Sequence, residues 1–158
     1  MRLRLLIVAC AVFLLDRVTK VVALGLLHEG RSIPVAPGAL HITLVFNKGI
    51  AFGLFGKAAT FVIPASMLTI ALIGSYALGS HKGGHPAWIS CGLILGGAIG
   101  NLYDRLRYGH VIDFLDFRVW PVFNIADSAI TIGAVLLAWE IINNEKRKTQ
   151  NAKRVVKE

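Results

Sequence analysis

The sequence predicts an all-α membrane protein with four transmembrane helices and a small β-sheet cradle on the outer (periplasmic) side. Its 158 residues have a mean hydropathy of +0.64, which is typical of membrane proteins. Four apolar segments, at about 3–27, 58–78, 88–106 and 122–142, are long enough to cross a bilayer, which takes about 20 residues. Trp88, Trp120 and Trp139 lie at or near segment ends, as in an aromatic belt. We therefore expect one integral membrane domain.

The first segment carries charged residues in its second half. Asp16 precedes Lys20 by four residues, the order that favours an ion pair on one helix face, and Thr19 lies beside them. Charges at this depth need partners and often mark function. The residues alone leave a structural pair and a substrate-facing pair equally open.

Residues 28–57, between the first two segments, have strand character. Residues 41–46 are rich in β-branched and aromatic side chains, and the preceding Pro37-Gly38 is typical of a turn. Gly49, two residues after Asn47, suits a tight backbone or the close approach of a ligand. We expect a small sheet on the membrane surface, whereas the second segment has no ionisable group and is interpreted as scaffold.

The third segment ends in a polar cluster. Asn101, Asp104 and Arg105 stand at i, i+3 and i+4, so they project from one side of a helix. Glycine recurs every fourth residue before them, at Gly92, Gly96 and Gly100. Such a stripe favours close approach of a second helix, and we also expect lipid chains to enter between helices at the last two glycines.

The last connection and segment add further carboxylates. Residues 110–120 are predicted as a short loop that contains Asp113 and Asp116. Asn124 and Asp127 share one helix face, and Asp127 is placed about five residues, or roughly 8 Å, inside the fourth helix. That depth makes Asp127 the most costly carboxylate of the chain.

Charge distribution sets the expected orientation. Of the formal charge of +8, much lies in the tail 143–158, which we interpret as a solvated cytoplasmic anchor facing anionic lipid and not a nucleic-acid site. Nine Lys and Arg fall on the side of the termini and six on the other, so both termini are expected in the cytoplasm. Cys10 and Cys91 lie in apolar runs and the histidines are scattered, so no disulfide, metal or cofactor is predicted.

In this orientation, the unusual polar groups all fall near the outer membrane surface. Two carboxyl groups in a low-dielectric site share one proton, which suits peptide hydrolysis without a covalent intermediate. Asp127 is one member, while Asp104, Asp113 and Asp116 are candidates for the other. Cation or proton transport, and a non-catalytic role in a membrane assembly, remain open on residue chemistry alone.

Five motifs, in register with the four segments, resemble those of lipoprotein signal peptidase (signal peptidase II). They are Asp16-x-x-Thr19-Lys20, Asn47-x-Gly49-x-Ala51-Phe52-Gly53, Gly96-Gly97-x-x-Gly100-Asn101-x-x-Asp104-Arg105, Val111-x-Asp113-Phe114 and Phe123-Asn124-x-Ala126-Asp127. The resemblance covers nearly all of the chain between the first and last motif. It implies an aspartic endopeptidase of the bacterial inner membrane.

The resemblance also implies a substrate and a set of site residues. The substrate would be a prolipoprotein with diacylglycerol on its cysteine, cut just before that cysteine, and the antibiotic globomycin would inhibit by occupying the cleft. The catalytic pair would be Asp113 and Asp127, with Asp104 a structural or capping residue beside Arg105. The implied supporting residues are Asp16, Lys20, Asn47, Gly49, Gly97, Gly100, Asn101, Arg105, Asn124 and Ala126. Membrane lipid is the other expected partner, nucleic acid is not, and a monomer is expected.

Overall fold

The computed structural model of the chain describes residues 2–49, 58–79 and 87–155. The helices are α1 (Arg2–Leu26), α2 (Ala58–Gly79), α3 (Ala87–Tyr108) and α4 (Ile125–Val155). The strands are β1 (Ser32–Ala36), β2 (Leu40–Asn47) and β3 (Val111–Asp116). The motif residues 51–53 lie outside the described residues.

The structure is thus mostly helical with one small sheet, as predicted. By length and composition, two stretches among the described residues are apolar enough to cross a bilayer, Val62–Gly79 of α2 and Ile125–Gln150 of α4. Helix α1 carries the charged residues Asp16, Arg17 and Lys20 in its second half, and α3 has a polar end, which lowers their apolar character.

The sheet is antiparallel with strand order β1-β2-β3. The predicted strand at 41–46 and the turn before it are both present, and Gly38 has a φ of 77°. The prediction of a loop over 110–120 was wrong for its first half, because Val111–Asp116 pairs with β2 along its length. Gly109, with a φ of 75°, ends α3 and allows the chain to enter β3 at once.

Helix α4 differs from its predicted bounds at both ends. It begins at Ile125, so Asp127 lies in the first turn and not about five residues inside the helix. It continues to Val155, so residues 143–155, expected as a solvated tail, are helical. The tail is rich in Lys, Arg, Glu and Gln, which have high helix propensity, and Lys148 pairs with Glu145 at 2.7 Å.

Helix α3 is central and packs against α1, α2 and α4. A Cβ on Gly92 would lie 2.8 Å from Val8 Cβ, and a Cβ on Gly96 would lie 2.5 Å from the Ala9 carbonyl oxygen. Both glycines therefore face α1. Gly100 faces the Asp16 carboxylate, 2.8 Å from where its Cβ would be. The stripe therefore serves helix packing, and the expectation that lipid chains enter at Gly96 and Gly100 was wrong because α1 fills that space.

Substitution at the stripe tests this packing. Gly96→Ala would place a methyl group against the α1 backbone, which cannot yield as a flexible side chain can. We expect the free energy of unfolding to fall by about 1–3 kcal/mol. The matched control is Gly74→Ala in α2, where a Cβ meets nothing within 4 Å. Thermal unfolding of the two variants in detergent measures the difference, and equal melting temperatures would contradict the packing.

Candidate active site

A buried cluster of four charges lies between α1 and α3. Lys20 Nζ is 2.9 Å from Asp16 Oδ2 and 2.7 Å from Asp104 Oδ2. Arg17 binds the same two carboxylates, at 2.7 Å to Asp16 and 2.5 Å to Asp104. Asp16, Lys20 and Asp104 are at most 1% exposed and the Arg17 side chain is 17% exposed, so two cations neutralise two anions largely out of contact with water. The predicted pair of Asp16 and Lys20 is confirmed.

The neighbours of this pair are structural. Asp104 was expected to be a structural or capping residue beside Arg105, and its carboxylate binds the two cations of α1, whereas Arg105 Nη1 donates to the Asn101 carbonyl at 3.3 Å. Thr19 was expected beside the charged pair, and its hydroxyl donates to the backbone carbonyls of Leu15 at 2.8 Å and Asp16 at 3.1 Å. Its side chain therefore satisfies the backbone of α1.

Sequence reasoning missed Arg17. One residue after Asp16, it projects about 100° away around the helix, so the four-residue spacing rule does not select it. Its long side chain nevertheless reaches Asp104 and lies over the Tyr103 ring, 4.9 Å from the centroid. The available signal was the uncompensated Asp104, because a second acid in the apolar segments required a second cation.

The cluster also holds the elements that follow. Asp16 Oδ1 accepts a hydrogen bond from the Ala126 backbone N–H at 3.1 Å, which fixes the first turn of α4. Asp104 Oδ2 accepts from the Ile112 N–H at 3.3 Å, which fixes β3. Ala126 is fully buried, and Gly97 leaves room for its carbonyl, which a Cβ there would meet.

Asn101 links the cluster to Asp127. Its Oδ1 accepts from Lys20 Nζ at 3.1 Å and from Asn124 Nδ2 at 3.2 Å. Because both bonds need the carbonyl end of the amide, Nδ2 must point the other way, and it donates to Asp127 Oδ1 at 2.7 Å. Lys20 therefore sets the orientation of the amide that holds Asp127.

Asn124 joins Asp127 to Asp113. It caps α4, since its Oδ1 accepts from the Asp127 N–H at 2.9 Å, and its Nδ2 donates to Asp113 Oδ1 at 2.6 Å. On the other side, Asn47 Nδ2 donates to Asp113 Oδ2 at 2.9 Å, and Asn47 is itself held by the Gly49 N–H at 2.8 Å. Both oxygens of Asp113 therefore accept from neutral amides.

The two carboxylates of β3, those of Asp113 and Asp116, have opposite electrostatic environments. Burial raises the pKa of Asp113 to about 6, and the nearby charge of Asp127 adds to this, although the hydrogen bonds from Asn47 and Asn124 act against it. The hydrogen bond from Thr43 instead holds the pKa of Asp116 below its usual range. Asp113 is thus the carboxyl group of β3 whose surroundings favour the neutral form.

A groove of about 470 Å³ opens beside Asp127. Its lining is mostly aromatic and aliphatic, with one carboxylate and two hydroxyls: Phe117, Trp120, Phe123, Asp127, Ser128, Thr131 and Ile132. An apolar groove with a half-buried carboxylate in its lining is the arrangement expected of a site for an amphipathic ligand.

Comparison with known proteins agrees with the geometry. The chain matches the family of signal peptidase II over residues 8–143. It is 42% identical over 153 residues to a lipoprotein signal peptidase of Pelotomaculum thermopropionicum, covering 95% of this chain and 99% of that protein. It is 46% identical over 144 residues to one of Syntrophomonas wolfei, covering 89% and 94%. A solved bacterial membrane enzyme superposes with a TM-score of 0.82 at 29% identity, over 91% of this chain and 90% of that one.

The raised pKa of Asp113 predicts a pH-dependent cost in stability. An acid with a pKa of 3.8 when unfolded and about 6 when folded costs nothing at low pH. As the pH rises through 6, that cost approaches about 3 kcal/mol, because the unfolded form ionises more readily. The Asp113→Asn variant lacks this term, so its stability relative to the parent protein should increase by about 2 kcal/mol between pH 4 and pH 7, since part of the cost is already present at pH 4.

Reversible denaturant unfolding in detergent at several pH values measures this trend. The constant cost of placing an amide at position 113 cancels, because only the slope with pH is compared. A difference between variant and parent that stays constant from pH 4 to pH 7 would contradict the raised pKa.

Proposed function

The chain belongs to the signal peptidase II family, and on this basis we propose an aspartic mechanism for removal of signal peptides from prolipoproteins. Asp113 and Asp127 form the catalytic pair. The substrate carries diacylglycerol on its cysteine and is cut immediately before that residue. Family membership favours this hydrolysis over the ion-transport and assembly alternatives that residue chemistry alone left open.

The proposal rests on one observation: two carboxyl groups share a scaffold of amides without a direct ion pair to a cation among the described residues. Asn124 donates to Asp113 and caps the Asp127 N–H, while Asn101 binds the Asp127 carboxylate. A cation bonded to either carboxylate would hold it as an anion. Amide donors stabilise a carboxylate less, so the pair can hold one proton between them.

The positions suggest which group carries the proton. Asp127 lies in the first turn of α4, where the helix dipole favours an anion, whereas burial favours the neutral form of Asp113. Asp127 then takes a proton from the attacking water as Asp113 protonates the scissile carbonyl oxygen. When the C–N bond breaks, Asp127 returns its proton to the leaving amine and Asp113 recovers its own from the tetrahedral intermediate.

The remaining residues support the pair. Lys20 and Asp16 act through Asn101 and Ala126, Gly97 and Gly100 leave the necessary space, and Arg105 adds positive potential near both acids. Asn47, held by Gly49, completes the shell around Asp113. The groove beside Asp127 would receive the apolar part of the substrate, and globomycin would inhibit by occupying it.

We also propose the membrane arrangement. All four helices cross the bacterial inner membrane, both termini are cytoplasmic, and the sheet lies on the periplasmic side. The charges of α1 do not oppose a crossing, because Asp16, Arg17, Lys20 and Asp104 neutralise one another. The chain is one domain and acts as a monomer.

Replacing either acid tests the mechanism. Asp113→Asn and Asp127→Asn should each reduce cleavage of a diacylated prolipoprotein peptide by about 10³-fold or more, because neither variant can share and transfer a proton. Asp116→Asn is the matched control on the same strand and should remain active, since Asp116 binds Thr43 and Arg118 instead.

The assay uses purified protein in detergent, with membrane accumulation of each variant followed by immunoblot. Cleavage by either single variant above about a tenth of the parent rate would refute the pair. Loss of partner binding with intact cleavage would indicate an assembly role instead.

Asn124→Ser separates capping from catalysis. Serine caps helices nearly as well as asparagine, so the capping contribution to stability should change by less than about 1 kcal/mol. The free energy of unfolding should still fall by about 1–3 kcal/mol, because the buried Asn124 amide also donates to Asp113. The short serine side chain cannot cap α4 and also reach Asp113, so the rate should fall about 10- to 100-fold, the value of a hydrogen bond to a charged group. Asn143→Ser, on the same helix, is the control. An unchanged rate in Asn124→Ser would exclude a role for this amide.

A further inference from the structure

The connection between β3 and α4 carries an exposed apolar tip. The 117–120 tip consists of Phe117, Arg118, Val119 and Trp120. Val119 is 91% exposed, Trp120 69% and Phe117 44%. Large apolar side chains held this far into solvent at one place indicate a contact surface.

The base of this connection is closed. Leu115 and Phe123 form a bridge, with Phe123 N–H to Leu115 O at 3.0 Å and Leu115 N–H to Phe123 O at 2.7 Å. The rings of Phe117 and Phe123 stack at 5.7 Å. These hydrogen bonds and the stacked rings therefore fix the residues from which the tip projects.

Arg118 is held in an unusual conformation. Its φ of 65° lies in the left-handed region, which costs energy for a residue with a side chain. Asp116 fixes it by accepting from the Arg118 N–H at 2.8 Å and from its guanidinium at 3.3 Å, and Thr43 holds Asp116 in turn at 2.8 Å. The hydrogen bonds among Thr43, Asp116 and Arg118 thus keep Val119 and Trp120 directed outward.

The tip lies at the end of an apolar helix pair. Trp120 precedes the apolar stretch Ile125–Gln150 by five residues. Tyr108, 46% exposed, ends the neighbouring antiparallel α3 and so marks the same end of the pair. Tyr and Trp at the ends of apolar helices are typical of residues at the level of lipid headgroups.

We propose that the 117–120 tip inserts into the headgroup region of the surrounding phospholipid bilayer. Val119 and Trp120 enter the apolar side of this interface, and the Arg118 guanidinium, with its side chain 52% exposed, faces the phosphates. Asp113 lies on β3, four residues before Phe117. Contact of the tip with the bilayer therefore sets the depth of β3, the strand that carries Asp113. The inference requires the membrane embedding of α4 but not the aspartic mechanism.

Fluorescence from a single tryptophan tests the insertion. A Trp88→Phe/Trp139→Phe double variant retains Trp120 alone and is reconstituted into phosphatidylcholine–phosphatidylglycerol vesicles. Phospholipids brominated near the glycerol end of the acyl chain should quench it about twofold more than those brominated near the methyl end, and acrylamide should quench it weakly. Adding Val119→Asp should reduce the bromolipid quenching by about half or more, because a charge disfavours insertion.

The matched control is Val35→Asp, an exposed valine on β1 at the opposite edge of the sheet, which should leave the quenching unchanged. The proposal is overturned if bilayer bromolipids do not quench Trp120, or if both aspartate variants act equally. Because Phe117 and Trp120 also line the groove proposed for the apolar part of the substrate, added quenching by a brominated acyl chain on a prolipoprotein peptide is compatible with insertion. The proposal is overturned if that acyl chain is required for any quenching of Trp120. These measurements need no cleavage, so they stand apart from any failure of the catalytic proposal.

Discussion

The site depends on the neutral charge cluster between α1 and α3. Lys20 uses its three ammonium donors on Asp16, Asp104 and Asn101, and the two carboxylates also bind backbone N–H groups of α4 and β3. Buried charges are strongly destabilising without partners. These partners meet only when α1, α3, α4 and β3 take one arrangement. The cluster therefore specifies the relative position of these four elements, which carry Asn101, Asp113, Asn124 and Asp127 or hold them in place.

Amides separate this cluster from the carboxyl pair, and that separation has a chemical consequence. Lys20 is joined to Asp127 by hydrogen bonds through Asn101, so it orients the amide that binds Asp127 without bonding to the carboxylate itself. Asn124 then connects Asp127 to Asp113 in the same way. In the proposed mechanism, ion pairs thus supply rigidity, and neutral donors surround the carboxyl groups between which a proton must move. A lysine bonded directly to Asp127 would stabilise the site and fix its protonation state.

The sequence allowed prediction of the features that depend on local pattern. Apolar runs located the four helices, and spacing located the pair of Asp16 and Lys20. Strand β3 was missed because it is short and almost wholly buried, so it lacks alternation, and only its pairing with β2 defines it. Arg17 was missed because its partner lies 87 residues away. The start of α4 was recoverable, since Asn124 followed by Asp127 has the spacing of a capping interaction.

Residue chemistry alone left three partners open for Asp127, and the contacts of each acid support the proposed choice of Asp113. Asp104 is bonded to two cations, which hold it as an anion. Asp116 is bonded to Thr43 and to Arg118, which lowers its pKa. Asp113 is bonded through its side chain to amides, is 1% exposed and lies within the electrostatic reach of Asp127. A shared proton requires two acids of similar proton affinity, so Asp113 fits that role and the other two do not.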